Sequence, residues 1–252
     1  MFKTILLLLI TVVSLTTVIA QDKSPDKPFY KKRRPGIMRF YTLNAPTETS
    51  AEKFDRFNTN FHYDSFLGDV NGVKTKFYSI GHGINVMFDI PFSKTSRFGI
   101  GIGFGYTHFS IRHNGVFTEK VPFNLPPEAQ EKHTELEVQT TEERWINRTA
   151  FNNLEIPFEL RIRSLKERPK FKFYPGFKVG YVVGKYHKWK IGDQKYVNYN
   201  FLDINPLHYG PTLRLGMNNI MLFGYYDLAM LFENQNSSKL NLFSVGVSIG
   251  WF

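Results

Sequence analysis

Residues 154–163 carry charge at alternating positions, and ion pairing on one face of a wall is the chemistry that spacing serves. Glu155, Glu159, Arg161 and Arg163 share one face, while Leu154, Ile156, Phe158, Leu160 and Ile162 share the other. A period of two puts these sets on opposite sides of a β-strand. The same alternation in other segments adds Asn85, Asp89, Lys172, Lys178, Arg214 and Asp227 to the polar face. Both signs are represented, so the set is expected to form a self-satisfying network. A buried charge left alone would cost several kcal/mol.

The histidines offer a second kind of chemistry. His108, His113 and His187 are expected near one rim, where three or four convergent ligands with oriented partners would make a metal site. Ser110 shares a face with His108, the beginning of a nucleophile–base pair, but no orienting carboxylate accompanies it. Neither Gly-x-Ser-x-Gly nor His-Glu-x-x-His occurs. The expectation is a non-enzymatic protein with no catalytic, cofactor or metal site. The alternative is a rim-active lipid or peptide hydrolase built on these histidines.

Two charged tracts are candidates for partner contacts. Lys31, Lys32, Arg33 and Arg34 form a basic run, read either as a solvated cluster or as a contact for membrane phosphates or a protein. Glu128, Glu131 and Glu135 belong to an acidic stretch within 114–148, whose middle is expected to form a short helix or an outward hairpin and which either binds a partner or simply extends the neighbouring strands. The net charge is +10. Export makes nucleic acid a poor counterpart, and anionic lipid or an acidic protein a better one.

The elements that must hold these residues begin with an exported leader. Lys3 precedes an uncharged apolar run that ends at Ala20, the pattern of a signal peptide over residues 1–20. Residues 21–52 are polar and hold Pro25, Pro28, Pro35 and Pro46, which reads as a basic periplasmic arm. Residues 53–252 break into eight alternating segments, near 54–66, 77–92, 97–113, 149–164, 170–188, 204–217, 220–232 and 240–252. The links alternate between short turns, such as Asn218-Asn219, and longer loops such as 114–148. That asymmetry is the pattern of an all-β, eight-stranded antiparallel up-and-down transmembrane barrel, with short periplasmic turns, longer external loops and both termini periplasmic. The absence of cysteine leaves such a wall to hydrogen bonds and packing. An aromatic content of 16% suits two interfacial girdles.

Two details sharpen the barrel reading. Gly99, Gly101, Gly103 and Gly105 alternate with Phe98, Ile100, Ile102, Phe104 and Tyr106, so one face of that strand is bare. Inside a narrow barrel, the bare face makes room for long side chains from facing strands. Phe243, Val245, Val247, Ile249 and Trp251 share a face before a terminal Phe252, an aromatic ending in the manner of outer-membrane barrel signals. Asn147-Arg148-Thr149 matches a glycosylation sequon that a bacterial envelope protein would leave unused.

The stretches Ile84–Phe92, Gly99–Gly103, Leu154–Arg161, Phe177–Tyr181 and Leu222–Leu228 resemble the PorT-like outer-membrane barrel proteins of Bacteroidetes. The resemblance implies a location in the outer membrane and, through PorT itself, an association with protein secretion. It implies outer-membrane lipids and other outer-membrane or periplasmic proteins as partners. An accessory or scaffold role follows, with a surface adhesin or receptor built on the external loops as a further alternative. An eight-stranded barrel is about wide enough for its own side chains, so no pore is expected.

Overall fold

The computed structural model describes residues 56–92, 96–120, 133–138, 144–164, 171–199, 203–234 and 236–251. The signal peptide, the arm with Lys31, Lys32, Arg33 and Arg34, the loop residues Glu128 and Glu131, and Phe252 lie outside the described residues.

Eleven strands follow one another: β1 (Phe57–Gly68), β2 (Ile80–Pro91), β3 (Phe98–Arg112), β4 (Gly115–Lys120), β5 (His133–Val138), β6 (Arg144–Arg163), β7 (Phe171–Ile191), β8 (Gln194–Asn198), β9 (Leu207–Met217), β10 (Ile220–Tyr226) and β11 (Leu240–Gly250). Eight of them close a ring in the order β1-β2-β3-β6-β7-β9-β10-β11, and β1 pairs with β11 from Asn58↔Gly250 to Gly68↔Leu240. All the pairings are antiparallel. The eight expected segments are these eight strands, and closure leaves the ring without an edge.

Three stretches depart from the expected boundaries. β6 starts at Arg144 rather than near 149, because it pairs with the extended end of β7, up to Arg144↔Ile191. β10 stops at Tyr226 rather than near 232. There the Asp227 carboxylate accepts from the Ala229 amide at 3.0 Å, turning the chain so that Leu231 and Phe232 pack inward. The region 114–148 supplies the hairpin β4–β5, paired from Gly115↔Val138 to Lys120↔His133, and no helix among its described residues.

One rule of strand chemistry is visibly bent. Pro157 has no amide hydrogen to donate, and the β3–β6 ladder breaks opposite it, between Ile102↔Phe158 and Gly105↔Glu155. At the β9–β10 turn, Asn218 takes a left-handed backbone (φ 53°) that asparagine tolerates well.

Alternation sorts the wall cleanly. Ile84, Val86, Phe88 and Ile90 on β2, Leu154, Ile156, Phe158 and Leu160 on β6, and Val245 and Val247 on β11 are exposed on the outside. The buried face of β1 reads Asn58, Asn60, His62 and Asp64 before it reaches Phe66. An apolar exterior around a polar interior is inverted relative to a soluble domain and matches a wall standing in lipid.

The apolar core sits at the long-loop end. Phe66, Val73, Ile111, Ile204, Leu231, Phe232 and Leu240 cluster around Leu136 of β5. The β4–β5 hairpin is tied to this end by its backbone. Thr134 and Leu136 donate their amides to Ser237 and Ser238 hydroxyls at 2.9 and 3.0 Å. Of the hairpin expected in this region, β5 is seated on the barrel's mouth through these bonds.

The bare face of β3 has a specific use. A Cβ added at Gly101 would lie 2.5 Å from Nε of Arg161, a fully buried side chain. Gly101→Val should therefore lower stability by about 1–3 kcal/mol, the usual range for overpacking. Gly224→Ala, where an added Cβ meets nothing within 4 Å, should be close to neutral. Urea unfolding of both variants in detergent micelles measures the difference, and equal midpoints would remove the packing account.

Candidate functional site

The charged interior divides into layers along the barrel. Nearest the short turns, Arg163 of β6 donates to both oxygens of Asp89 on β2, at 2.8 and 2.6 Å. Arg161 Nη1 lies 3.3 Å from the same carboxylate, and its Nε donates to Glu159 at 3.3 Å. Arg214 of β9 reaches across the interior to donate to Glu159 at 2.6 Å and to Ser248 Oγ at 3.3 Å. The ring of Tyr174 faces the guanidinium groups of Arg161, Arg163 and Arg214 at 5.3, 6.0 and 5.4 Å. Lys172 is buried in the wall beside them, opposite Arg163 in the β6–β7 register.

A second layer is a single pair. Lys178 donates to Glu155 at 2.8 Å, and Thr107 donates to the other carboxylate oxygen at 2.8 Å. The Lys178 ammonium also sits 3.7 Å from the centroid of the Tyr225 ring. A cation over an aromatic face gains electrostatic attraction where water is excluded.

The third layer is histidine–aspartate chemistry. Asp64 accepts from His62 Nδ1 at 2.6 Å, Ser244 Oγ at 2.6 Å and the Ser110 amide at 2.9 Å. Asp227 accepts from His208 Nδ1 and stands apart from the other charged residues named from the sequence. Of the charged residues named from the sequence, the structure brings together Asp89, Glu159, Arg161, Arg163 and Arg214, and sets Glu155 with Lys178. The sequence reading missed His62, Asp64 and His208. Their alternation with the outward Phe61, Tyr63, Leu207 and Tyr209 was the available signal.

The three rim histidines do not converge. His108 and His113 are an odd number of residues apart, so the pleat sends them to opposite faces. His113 is inward, with Nε2 2.9 Å from Thr149 Oγ1, which lies 2.8 Å from His187 Nδ1. The Gly115 amide donates to His113 Nδ1 at 3.1 Å, so the proton of the neutral ring is on Nε2. The chain then runs in one direction, from His113 to Thr149 to His187. His108 lies on the outside beside His82, at 5.2 Å between ring centroids, with its Nδ1 on Asn152 at 2.6 Å rather than on Ser110. Among the described residues no three His, Asp or Glu side chains form a group fit to hold a metal ion.

The remaining candidates have plain places. Glu135 accepts from Lys120 at 2.5 Å within the β4–β5 hairpin. Hydrogen bonds to Glu135 and Glu137 push the Lys120 ammonium up to about 12, and the same bond holds the Glu135 carboxyl below its usual range. Asn147 of the sequon is buried and donates its amide to the Gly115 carbonyl, out of reach of a glycan. Trp251 donates its indole N–H to Thr59 Oγ1 at 2.9 Å, anchoring the end of β11 to β1.

A family model described as outer membrane protein beta-barrel domain matches residues 51–250. No curated protein and no solved structure matches the chain.

Glu159 is the carboxylate that links Arg161 to Arg214, so its removal is the sharpest test of the interior. Glu159→Gln should cost about 3–5 kcal/mol, the range for breaking a buried pair and leaving its partner charges. Heat-modifiable gel mobility and urea midpoints in micelles report the loss. A change within about 0.5 kcal/mol, the usual size for a surface substitution, would mean that the network is solvated.

Proposed function

The chain belongs to the outer membrane protein beta-barrel domain family, and we propose that it works as a non-enzymatic accessory or scaffold subunit of an outer-membrane assembly or secretion complex. In this reading it is exported by its N-terminal signal, belongs to the PorT-like branch, and stands with its short turns and both termini in the periplasm.

One observation carries the proposal. β6 and β7 are 20 and 21 residues long, whereas a spanning strand needs about 9–11. Their excess lies at the long-loop end, where β8 adds to β7 through Ile191↔Gln194 to His187↔Asn198. The result is a sheet that continues past the membrane-spanning band, with β8 exposed along its whole length. A filled interior supports the same reading, because it leaves the wall and this projection as the surfaces for work. The surface-receptor alternative rests on the same projecting sheet.

Mild-detergent purification from native membranes, with crosslinking and mass identification, tests the role. The expected result is a defined outer-membrane or periplasmic protein that co-purifies and is lost when residues 190–195 are replaced by Asn-Gly. A barrel that migrates alone after crosslinking contradicts the scaffold role. Binding only to material outside the cell would favour the receptor.

A further inference from the structure

The outer wall carries a row of like charges with no carboxylate partner among the described residues. In the β3–β6 register Arg112 lies directly opposite Arg148, and in the β6–β7 register Arg148 lies directly opposite Lys188. The neighbouring positions Ile111, Thr149 and His187 are buried inside, so this rung points outward. Three cations on adjacent strands span about 10 Å. Like charges directly opposite one another destabilise a sheet pair. Yet none of the three has a carboxylate partner among the described residues, and Asp193 pairs with Lys190 instead. Among the described residues, the buried Nε atoms of Arg112 and Arg148 also lack hydrogen-bond partners.

The surroundings organise the row rather than neutralise it. Arg112 lies over the Tyr78 ring at 5.0 Å, with Lys76 over the same ring at 5.8 Å. Arg148 lies over the Tyr186 ring at 5.3 Å and donates to its hydroxyl. Stacked guanidinium groups are preorganised donors, suited to bidentate contact with phosphate oxygens. The level of the row also matters. Descending the same strands from this rung, the register runs through the small pair Ser110 and Ala150, then His108 beside Asn152, then Tyr106 beside Leu154, then the apolar band of Phe104, Ile156 and Ile102. Cations, then polar aromatics, then hydrocarbon is the order of a bilayer surface, with the cations at the depth of the headgroups.

We infer that Arg112, Arg148 and Lys188 form a binding site for the phosphate groups of a phosphorylated glycolipid headgroup in the leaflet at the long-loop end. The lipid's acyl chains would lie along the apolar wall of β3, β6 and β7 while its phosphates balance the row. The inference rests on the membrane orientation proposed above and not on any protein partner.

Native mass spectrometry of the purified full chain in neutral detergent, titrated with phosphorylated lipid A and with its dephosphorylated form, tests the site. Wild type should retain the phosphorylated lipid and release the dephosphorylated one. The triple variant R112Q/R148Q/K188Q should bind the phosphorylated lipid about 100- to 200-fold more weakly, from the attraction lost per cation near a membrane surface. Lys195→Gln, outside the row, should bind as wild type. Competition by inorganic phosphate alone at low millimolar concentration would assign the site to free phosphate and overturn the lipid. Equal retention of the two lipids by wild type, which needs no variant, would overturn the site itself. Reagent labelling of a single cysteine at Lys239 on intact cells tests the orientation separately, so a wrong orientation is distinguishable from an absent site.

Discussion

Hydrocarbon offers no hydrogen bonds, so a wall standing in it must bond its backbone amides to neighbouring strands. Pairing of β1 with β11 meets that demand by closing the ring. Much else follows from closure at eight strands. The ring is narrow, the outward residues must be apolar, and whatever faces inward must satisfy itself in a space about wide enough for side chains. Arg161 shows the consequence. Its side chain is fully buried, lies against Asp89 and Glu159, faces Tyr174, and occupies room left by Gly101.

The interior is stratified along the barrel axis. At the short-turn end the arginine–carboxylate network crosses the interior, and Glu159 joins β6 to β9 through Arg214. At the long-loop end the filling is apolar, and the β4–β5 hairpin contributes Leu136 to it. Between them Lys178 holds both a carboxylate and an aromatic face. The two kinds of filling leave function to surfaces: the lipid-facing wall, the projecting sheet of β6, β7 and β8, and the cationic row above the apolar band.

Period two made the wall legible from sequence. The pattern Leu154-Glu155-Ile156 already says which side chain faces lipid, and the bare face of Gly99–Gly105 already asks for a large facing side chain. Contacts across the barrel were not legible in the same way. That Arg214 meets Glu159, while Asp227 meets His208, depends on strand order, shear and tilt, which a single strand does not encode. The directions of the rim histidines follow from the same period. His108 and His113 share a strand, and their odd separation sends them to opposite sides. The docking of the hairpin at Thr134–Leu136 was hidden for another reason. Its anchors, Ser237 and Ser238, lie in a distant loop and carry no local signal.

Site-directed spin labelling along β11 tests the central claim most directly, and the absence of native cysteine makes it straightforward. Single cysteines at Phe243 through Ile249, labelled in protein refolded into liposomes, report access to oxygen and to a water-soluble reagent. A lipid-embedded barrel with a filled interior predicts high oxygen access at Phe243, Val245, Val247 and Ile249, low oxygen access at Ser244 and Ser248, and low access to the water-soluble reagent throughout. Loss of the two-residue period would contradict the barrel. High access of the water-soluble reagent at Ser244 and Ser248 would contradict the filled interior.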